Sequence, residues 1–388
     1  MNHPQDSTGE DSRPTRTTTA AVLAPTQEPA TAEHTPAPRL RPPQLYWGQE
    51  NDRLHTLSVW TERVPERGED AEPFVAHHQE SGQGLLAVFD GSGGSGSAPA
   101  WQAPDGTSRT SAWVGARAAR LATECWLYDV TREQQDAEPQ SLHEYLAYFF
   151  SKAPKRQSKI GGTMRRQLPT TLAAVHYRLV DGERAAELSP LWAGDSRAYL
   201  LSPGSGLQVL TRDHTRESDA LELLRSDPPM TNLICADRDF VIDAQRPVPI
   251  QLPCVLVAAT DGFFGYVHTP GDFEHVLLYT LQQAHHAAEW ADQLRRAVQS
   301  YTADDASLAL VGLGFRDFTE LRTHFAPRLR KLIDQQSLDK PSALAHGPAP
   351  GADPRETAAQ IKTWQDRSWQ AYRHGYESYL PPAPEEPE

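Results

Sequence analysis

The chain has 388 residues, with 37 Lys and Arg against 51 Asp and Glu, for a net charge of −14. It carries no basic block of the kind that tracks a phosphate backbone, which argues against nucleic acid as a partner. No apolar stretch approaches the ~20 residues needed to cross a bilayer, and the first residues lack the apolar core of a signal peptide, so the expectation is a cytoplasmic protein without membrane association. Cys125, Cys235 and Cys254 are far apart and without a CxxC pair, which argues against a disulfide framework and a zinc site.

Residues 1–42 hold seven of the 32 prolines among Thr, Ala and Gln, with almost no large apolar side chains, the composition of a disordered segment. Order is expected to begin near Leu45–Trp47. Strand patterns follow at Leu54–Val64, ahead of the acidic pair Glu69–Asp70, then at Phe74–His78 and in the run that ends at Asp90. From Thr110 to Val130, the apolar positions Val114, Ala118, Leu121 and Cys125 recur at helical intervals, which predicts a helix laying that face on a sheet. A second helix is predicted at Leu142–Ser151, with Tyr145, Leu146, Phe149 and Phe150 on its apolar side. Two more precede Asp304: Phe273–Gln283, opened by Thr-Pro-Gly-Asp, and Ala287–Tyr301, with Trp290, Leu294 and Val298 on one face. Strands in pairs and helices in pairs suggest a sheet-on-sheet core covered by helices on both outer faces.

Beyond Phe315 the pattern predicts a charged amphipathic helix, Phe318–Gln335, a Pro/Ala/Gly linker over 340–354, and a last helix, Arg355–Leu380. Its Trp369, Tyr372, Tyr376 and Tyr379 form an aromatic stripe that can dock on the domain or serve as a partner-binding surface. The expected division is therefore a disordered 1–42, a domain over 43–316 and a helical tail over 317–388.

Four acidic motifs lie at the edges of apolar, strand-like runs: Asp90 in LLAVFDGSGG, Asp195 in LWAGDSRAYL, Asp261 in VLVAATDGFF and Asp304 in TADDASLALV. The runs Leu85–Phe89 and Val255–Ala259 end at their Asp, and the run Ser307–Leu313 follows Asp304. In an antiparallel sheet the end of one strand lies beside the start of its neighbour, so Asp90, Asp261 and Asp304 are expected at one rim. Like charges that close raise each other's pKa unless a cation holds them ionised. Hard carboxylate oxygens without His or Cys partners point to Mg²⁺ or Mn²⁺ rather than zinc.

The order PTTLAAV (Pro169–Val175), AGDSRAYL (Ala193–Leu200), LTRDHT (Leu210–Thr215), ATDGFF (Ala259–Phe264) and DDASLAL (Asp304–Leu310), following VFDGSGG (Val88–Gly94), resembles the metal-dependent serine/threonine protein phosphatases of the 2C (PPM) type, in their bacterial form. The resemblance spans roughly 45–315. It implies an α+β fold, a four-layer α-β-β-α sandwich of two antiparallel sheets flanked by helices. It also implies hydrolysis of phosphomonoesters on a phosphorylated protein substrate, by a water activated between two or three Mg²⁺ or Mn²⁺ ions. The family roles fall on Asp90 as the bridging carboxylate, the Gly91 carbonyl as a further ligand, and Asp261 and Asp304 as the rest of one metal's shell. Glu69 would hold metal-bound water, Asp70 would support its neighbours, and Asp195 would help hold a third ion.

Two departures from the family pattern stand out. Where the commonest eukaryotic form has a histidine general acid, this chain has Ser92, whose hydroxyl is far too weak an acid for that task. Where the family has its phosphate-binding arginine, this chain has Pro65, flanked by Arg63 and Arg67, either of which can clamp phosphate if the loop carries an irregularity. His77 and His78 precede the Asp90 strand and are candidates to reach the site. The flap segment Thr215–Phe240 is short, and its DPPMTN stretch, ending at Asn232, is expected to shape access.

Other motifs point elsewhere and are weaker. Gly91–Gly96 satisfies GxGxxG, but Pro99 and Pro104 prevent the helix that dinucleotide binding requires. Ser196, Asp213 and His214 contain the residue types of a hydrolase triad without a GxSxG elbow, and His285-His286 are expected to face solvent. The alternative to the enzyme is a phosphatase-like module that binds phosphoproteins or partners without turnover. Ser92 and Pro65 favour that alternative; retention of Asp90, Asp261 and Asp304 favours the enzyme.

Overall fold

Period-two alternation decides what each strand of this protein touches. The computed structural model describes residues 45–47, 54–153, 165–180, 182, 184–226, 228–347, 349 and 351–383. The expected disorder of 1–42 lies outside them. In chain order the strands are β1 (Leu45–Trp47), β2 (Leu54–Thr61), β3 (Phe74–His78), β4 (Gln83–Val88), β5 (Pro99–Gln102), β6 (Ser108–Thr110), β7 (Leu172–Val180), β8 (Ala185–Ala193), β9 (Arg197–Ser202), β10 (Gly206–Val209), β11 (Asp243–Ala244), β12 (Val248–Gln251), β13 (Cys254–Ala259) and β14 (Ala306–Leu313). The helices are α1 (Gly93–Gly96), α2 (Ser111–Glu133), α3 (Pro139–Ser151), α4 (Ala220–Arg225), α5 (Asp261–Phe264), α6 (Pro270–Gln283), α7 (Ala287–Gln299), α8 (Phe318–Ser337), α9 (Ala343–His346) and α10 (Pro354–Tyr376).

The strands form a seven-stranded sheet, β1-β3-β4-β7-β8-β11 with β12 also on β8, a five-stranded sheet, β10-β9-β13-β14-β2, and the hairpin β5-β6. All pairings are antiparallel. Leu86 and Val88 of β4, Leu256 and Ala258 of β13 and Ala309 and Val311 of β14 fill the core between the two large sheets. The alternate residues of the same strands face outward: Leu85, Ala87 and Phe89 pack under α2 and α3, and Val255, Val257, Leu308 and Leu310 under α6, α7 and α8. This is the four-layer α-β-β-α sandwich that the resemblance implies.

Helix α2 starts where predicted because the Thr110 side chain caps it, its Oγ1 accepting the Trp113 N–H at 3.1 Å. The predicted face is only the edge of the buried one: Val114 and Ala118 are partly buried against the core. Ala112, Ala116, Ala119 and Ala122 are buried together with Trp126, Leu127 and Val130, while Leu121 is 49% exposed. Methyl side chains let the helix approach the sheet closely, so bulk does not mark the buried face here. Thr-Pro-Gly-Asp does open α6: Thr269 and Asp272 form a reciprocal capping box.

Helices α8 and α10, which the sequence sets apart as a tail, lie on the outer face of the five-stranded sheet. The Arg328 guanidinium of α8 donates to the Glu274 carboxylate of α6 at 2.6 and 2.8 Å in a buried fork. Tyr372 of α10 donates to the same carboxylate. Trp369 and Tyr376 join the core on this side, so the aromatic stripe is spent on the protein's own sheet. The linker region includes the single turn α9.

Candidate active site

The site lies at one end of the sandwich, where the chain crosses from sheet to sheet. Glu69 and Asp70 stand on the crossing from β2 to β3, and Asp195 on the crossing from β8 to β9. Asp90 follows β4 of the seven-stranded sheet, whereas Asp261 follows β13 and Asp304 precedes β14 of the five-stranded one. The three acids therefore come from two facing sheets rather than one rim, because the β4 neighbours are β3 and β7.

Glycines let these turns close. Gly194, before Asp195, has φ +98°, a region that costs side-chain-bearing residues strain. A Cβ on Gly262, after Asp261, would collide with the Asp305 carbonyl.

The acidic side chains converge on Asp90. Burial, then the charges of Asp70, Asp261, Asp195 and Asp304, hold its carboxyl well above the usual carboxylate range. Asp70 is buried, is within hydrogen-bonding reach of Asp90, and accepts the Thr260 hydroxyl at 3.0 Å; burial, with Asp305 next, raises its pKa to about 7. Burial also raises Asp304, against the pull of Arg63, and the Tyr266 hydroxyl donates to it at 3.4 Å. Glu69 is raised by burial, opposed by the Thr110 hydroxyl that donates to it. Asp195, Asp261 and Asp304 line a cleft of ≈ 280 Å³ with Tyr266 and Leu223 to Arg225 of α4.

Some of the other candidate residues lie beside this cluster and others lie away from it. Gly91 is buried and bridges to Thr170. Ser92 is partly exposed, its Oγ 3.0 Å from the Ser95 Oγ. Arg63 is exposed, and its charge acts on Asp304 and Tyr266. Arg67 is exposed and forms no ion pair among the described residues. Asn232 pins the backbone of Val241 from both sides, at 2.9 and 3.1 Å, and approaches His214 at 3.4 Å. His77 and His78 are at the far end of β3 from Asp90, since Phe74 pairs with Ala87 and His78 with Gln83. The triad types are engaged elsewhere: Ser196 with Thr171 at 2.6 Å, Asp213 with Arg197, and His214 with Asp243 at 2.9 Å. His285, highly exposed, pairs with Glu289 at 3.2 Å, an i+4 partner.

Sequence inspection missed Asp305, whose carboxylate accepts the N–H groups of Arg63 and Glu69 at 2.8 and 2.7 Å. It missed Arg197 and Asp213 as a pair. They form a buried bidentate fork at 2.9 and 2.7 Å beside Asp195, with the guanidinium 4.3 Å from the Phe264 ring. An Asp-Asp doublet before a strand is a signal for the first; nothing local signals the second.

Among the described residues no three His, Cys, Asp or Glu side chains stand in metal-binding geometry. The donor chemistry nevertheless fits a hard divalent cation: an all-oxygen set of carboxylates whose mutual repulsion a cation would relieve. No helix among them is long and apolar enough to cross a membrane.

No protein-family model and no curated relative matches the chain. Among solved structures it is similar to the catalytic domain of the serine/threonine phosphatase PstP in complex with two manganese ions, at 17% identity and TM-score 0.45, over 68% of this chain and 99% of that one. It is also similar to the PPM Ser-Thr phosphatase MsPP from Mycobacterium smegmatis, in complex with cacodylate (12%, TM-score 0.46, 68% and 100% covered). A third is the serine/threonine phosphatase Stp1 from Staphylococcus aureus (16%, TM-score 0.44, 69% and 98% covered). The functional case rests on this chain's own residues.

Proposed function

We propose that this protein is a metal-dependent serine/threonine protein phosphatase that hydrolyses phosphomonoesters. The observation that carries the proposal is the gathering of Asp70, Asp195, Asp261 and Asp304 around Asp90, an arrangement of like charges that costs stability unless it serves a cation. Asp90, Asp261 and Asp304, with the Gly91 carbonyl, would hold Mg²⁺ or Mn²⁺, and Asp195 and Glu69 would complete the set. Ions held there supply Lewis acidity toward water and toward phosphate oxygens.

The chain's own residues orient the reactants. Arg63 is the exposed cation whose charge acts on this cluster, suited to holding an anionic substrate oxygen. Asp305 holds the Arg63 and Glu69 backbones in one loop. Tyr266 and α4 wall the cleft. Ser92 stands where a proton donor would be expected and is too weak an acid to act as one, so protonation of the leaving oxygen falls to solvent.

The test is hydrolysis of an aryl phosphate by the purified protein with Mn²⁺ and then with excess chelator, alongside the melting temperature under both conditions. Activity and an upward Tm shift with Mn²⁺ are expected, both reduced in Asp90→Asn and Asp261→Asn. Equal activity in chelator would overturn the proposal. A Tm shift without turnover would favour the binding module instead.

A further inference from the structure

On the other side of the Glu62–Asp70 loop lies a second cavity, ≈ 440 Å³, whose basic wall is Arg109, Arg117 and Arg120 with Trp113 between them. Each guanidinium donates to main-chain carbonyls. Arg109 donates to the Glu66 carbonyl, Arg117 to the carbonyls of Glu69 and Trp113 at 3.2 and 3.1 Å, and Arg120 to that of Glu72 at 3.0 Å. Arg120 has Glu124 at 3.7 Å. Arg109 and Arg117 form no ion pair among the described residues, and the Arg109 Nε is buried with no acceptor. Both lie against the Trp113 ring, at 4.9 and 3.9 Å from its centroid.

Glu62, Glu66 and Glu72 line the same cavity. Glu62 is already used, accepting the N–H groups of Glu66 and Gly68 at 2.6 and 3.1 Å. Glu66 and Glu72 are exposed to solvent, where screening weakens their hold on the arginines. The two guanidiniums repel one another: burial and then the charge of Arg109 push the Arg117 pKa down to about 10, against the opposing pull of Asp70, Glu62 and Glu72. A bound anion would relieve that repulsion and supply the missing acceptor.

Glu69 links this cavity to the candidate active site. Arg117 touches the Glu69 backbone, and Thr110, next to Arg109, donates to the Glu69 carboxylate. Above it the β5-β6 hairpin presents Trp101, 46% exposed and stacked on Trp113 at 5.7 Å, an aromatic shelf for a passing chain.

We infer that the Arg109–Arg117 cleft is an anion subsite for the substrate polypeptide, taking a side-chain carboxylate or second phosphate beside the phosphoresidue. The identity of this ligand rests on the proposed phosphatase function; the subsite itself does not.

The experiment compares three phosphothreonine peptides of one length whose flanking residues are Gln, Glu or a second phosphoserine. Their binding to the full chain is read by fluorescence anisotropy and their kcat/KM with Mn²⁺. The Glu and doubly phosphorylated peptides are expected to bind about tenfold tighter than the Gln peptide. The preference should fall below about twofold in Arg109→Gln and be partly kept in Arg109→Lys, which retains charge without the planar fork. A gain confined to the second phosphate identifies phosphate as the occupant; a gain for both admits either anion. Equal affinities for all three peptides in the unmodified protein overturn the inference whatever the variants do. Acidic preference lost in Arg109→Gln, with no hydrolysis of any peptide, would overturn the phosphatase proposal and leave the subsite standing.

Discussion

The Asp305 carboxylate accepts the backbone N–H of Glu69 at 2.7 Å across 236 positions of sequence. Its other oxygen takes the N–H of Arg63 at 2.8 Å, so one side chain at the entry to β14 sets the loop that carries a candidate acid and the candidate phosphate-binding cation.

Asp305→Ala should therefore release that loop. Outer partners of this kind are worth roughly 10–100-fold in activity or metal affinity, and a loss of that size in kcat/KM for an aryl phosphate is expected, with Asp305→Asn losing less because one acceptor oxygen remains. Unchanged kcat/KM in a folded Asp305→Ala protein would show that the loop holds itself.

Ser92 gives a prediction about leaving groups. The aryloxide of an aryl phosphate departs without protonation, whereas the serine or threonine of a phosphopeptide departs as a basic alkoxide that needs a proton. Ser92→His should raise activity on a phosphothreonine peptide more than on aryl phosphate and add a titration near the pKa of about 6.5 typical of His. An unchanged ratio of the two rates would remove Ser92 from the proton-donor position.

His176 sets an acid limit on stability. It is 5% exposed, accompanied by Gln83 at 3.2 Å, and burial, then the charge of Arg178, lowers its pKa to about 4. An unfolded histidine titrates near about 6.5, so between those values the unfolded chain binds the extra proton and stability falls as pH falls. The full loss is about 3 kcal/mol, complete below the folded pKa. The carboxylates of the site, with raised pKa, act in the opposite sense, so the check is the difference in unfolding free energy between wild type and His176→Gln from pH 7 to 4. That difference should change across this window; a constant one refutes the assignment.

Trp369 is 3% exposed and its Nε1 donates to Asp219, the cap of α4, at 3.1 Å. Trp369→Ala should cost about 3–5 kcal/mol, read as a fall in the urea midpoint. Deleting 354–388 should do at least as much. A truncated protein that melts like the full chain would show that α10 adds nothing to the core.

Short-range pattern determined a good part of this protein. The apolar runs around Asp90, Asp261 and Asp304 became β4, β13 and β14 because a short continuous apolar run bounded by polar residues is a local signal, and the Thr269–Asp272 box announced α6 by residue type alone. Tertiary structure decided the rest. Which sheet a strand joins depends on partners far along the chain, so Asp90 met Asp261 across two sheets instead of along one. The alanine face of α2 was chosen by how closely a helix can approach a sheet, which apolar bulk does not encode. Asp305 with Glu69, Arg197 with Asp213 and Trp369 with Asp219 are hydrogen bonds between segments with no sequence periodicity in common. They form only once the sandwich has brought those segments together.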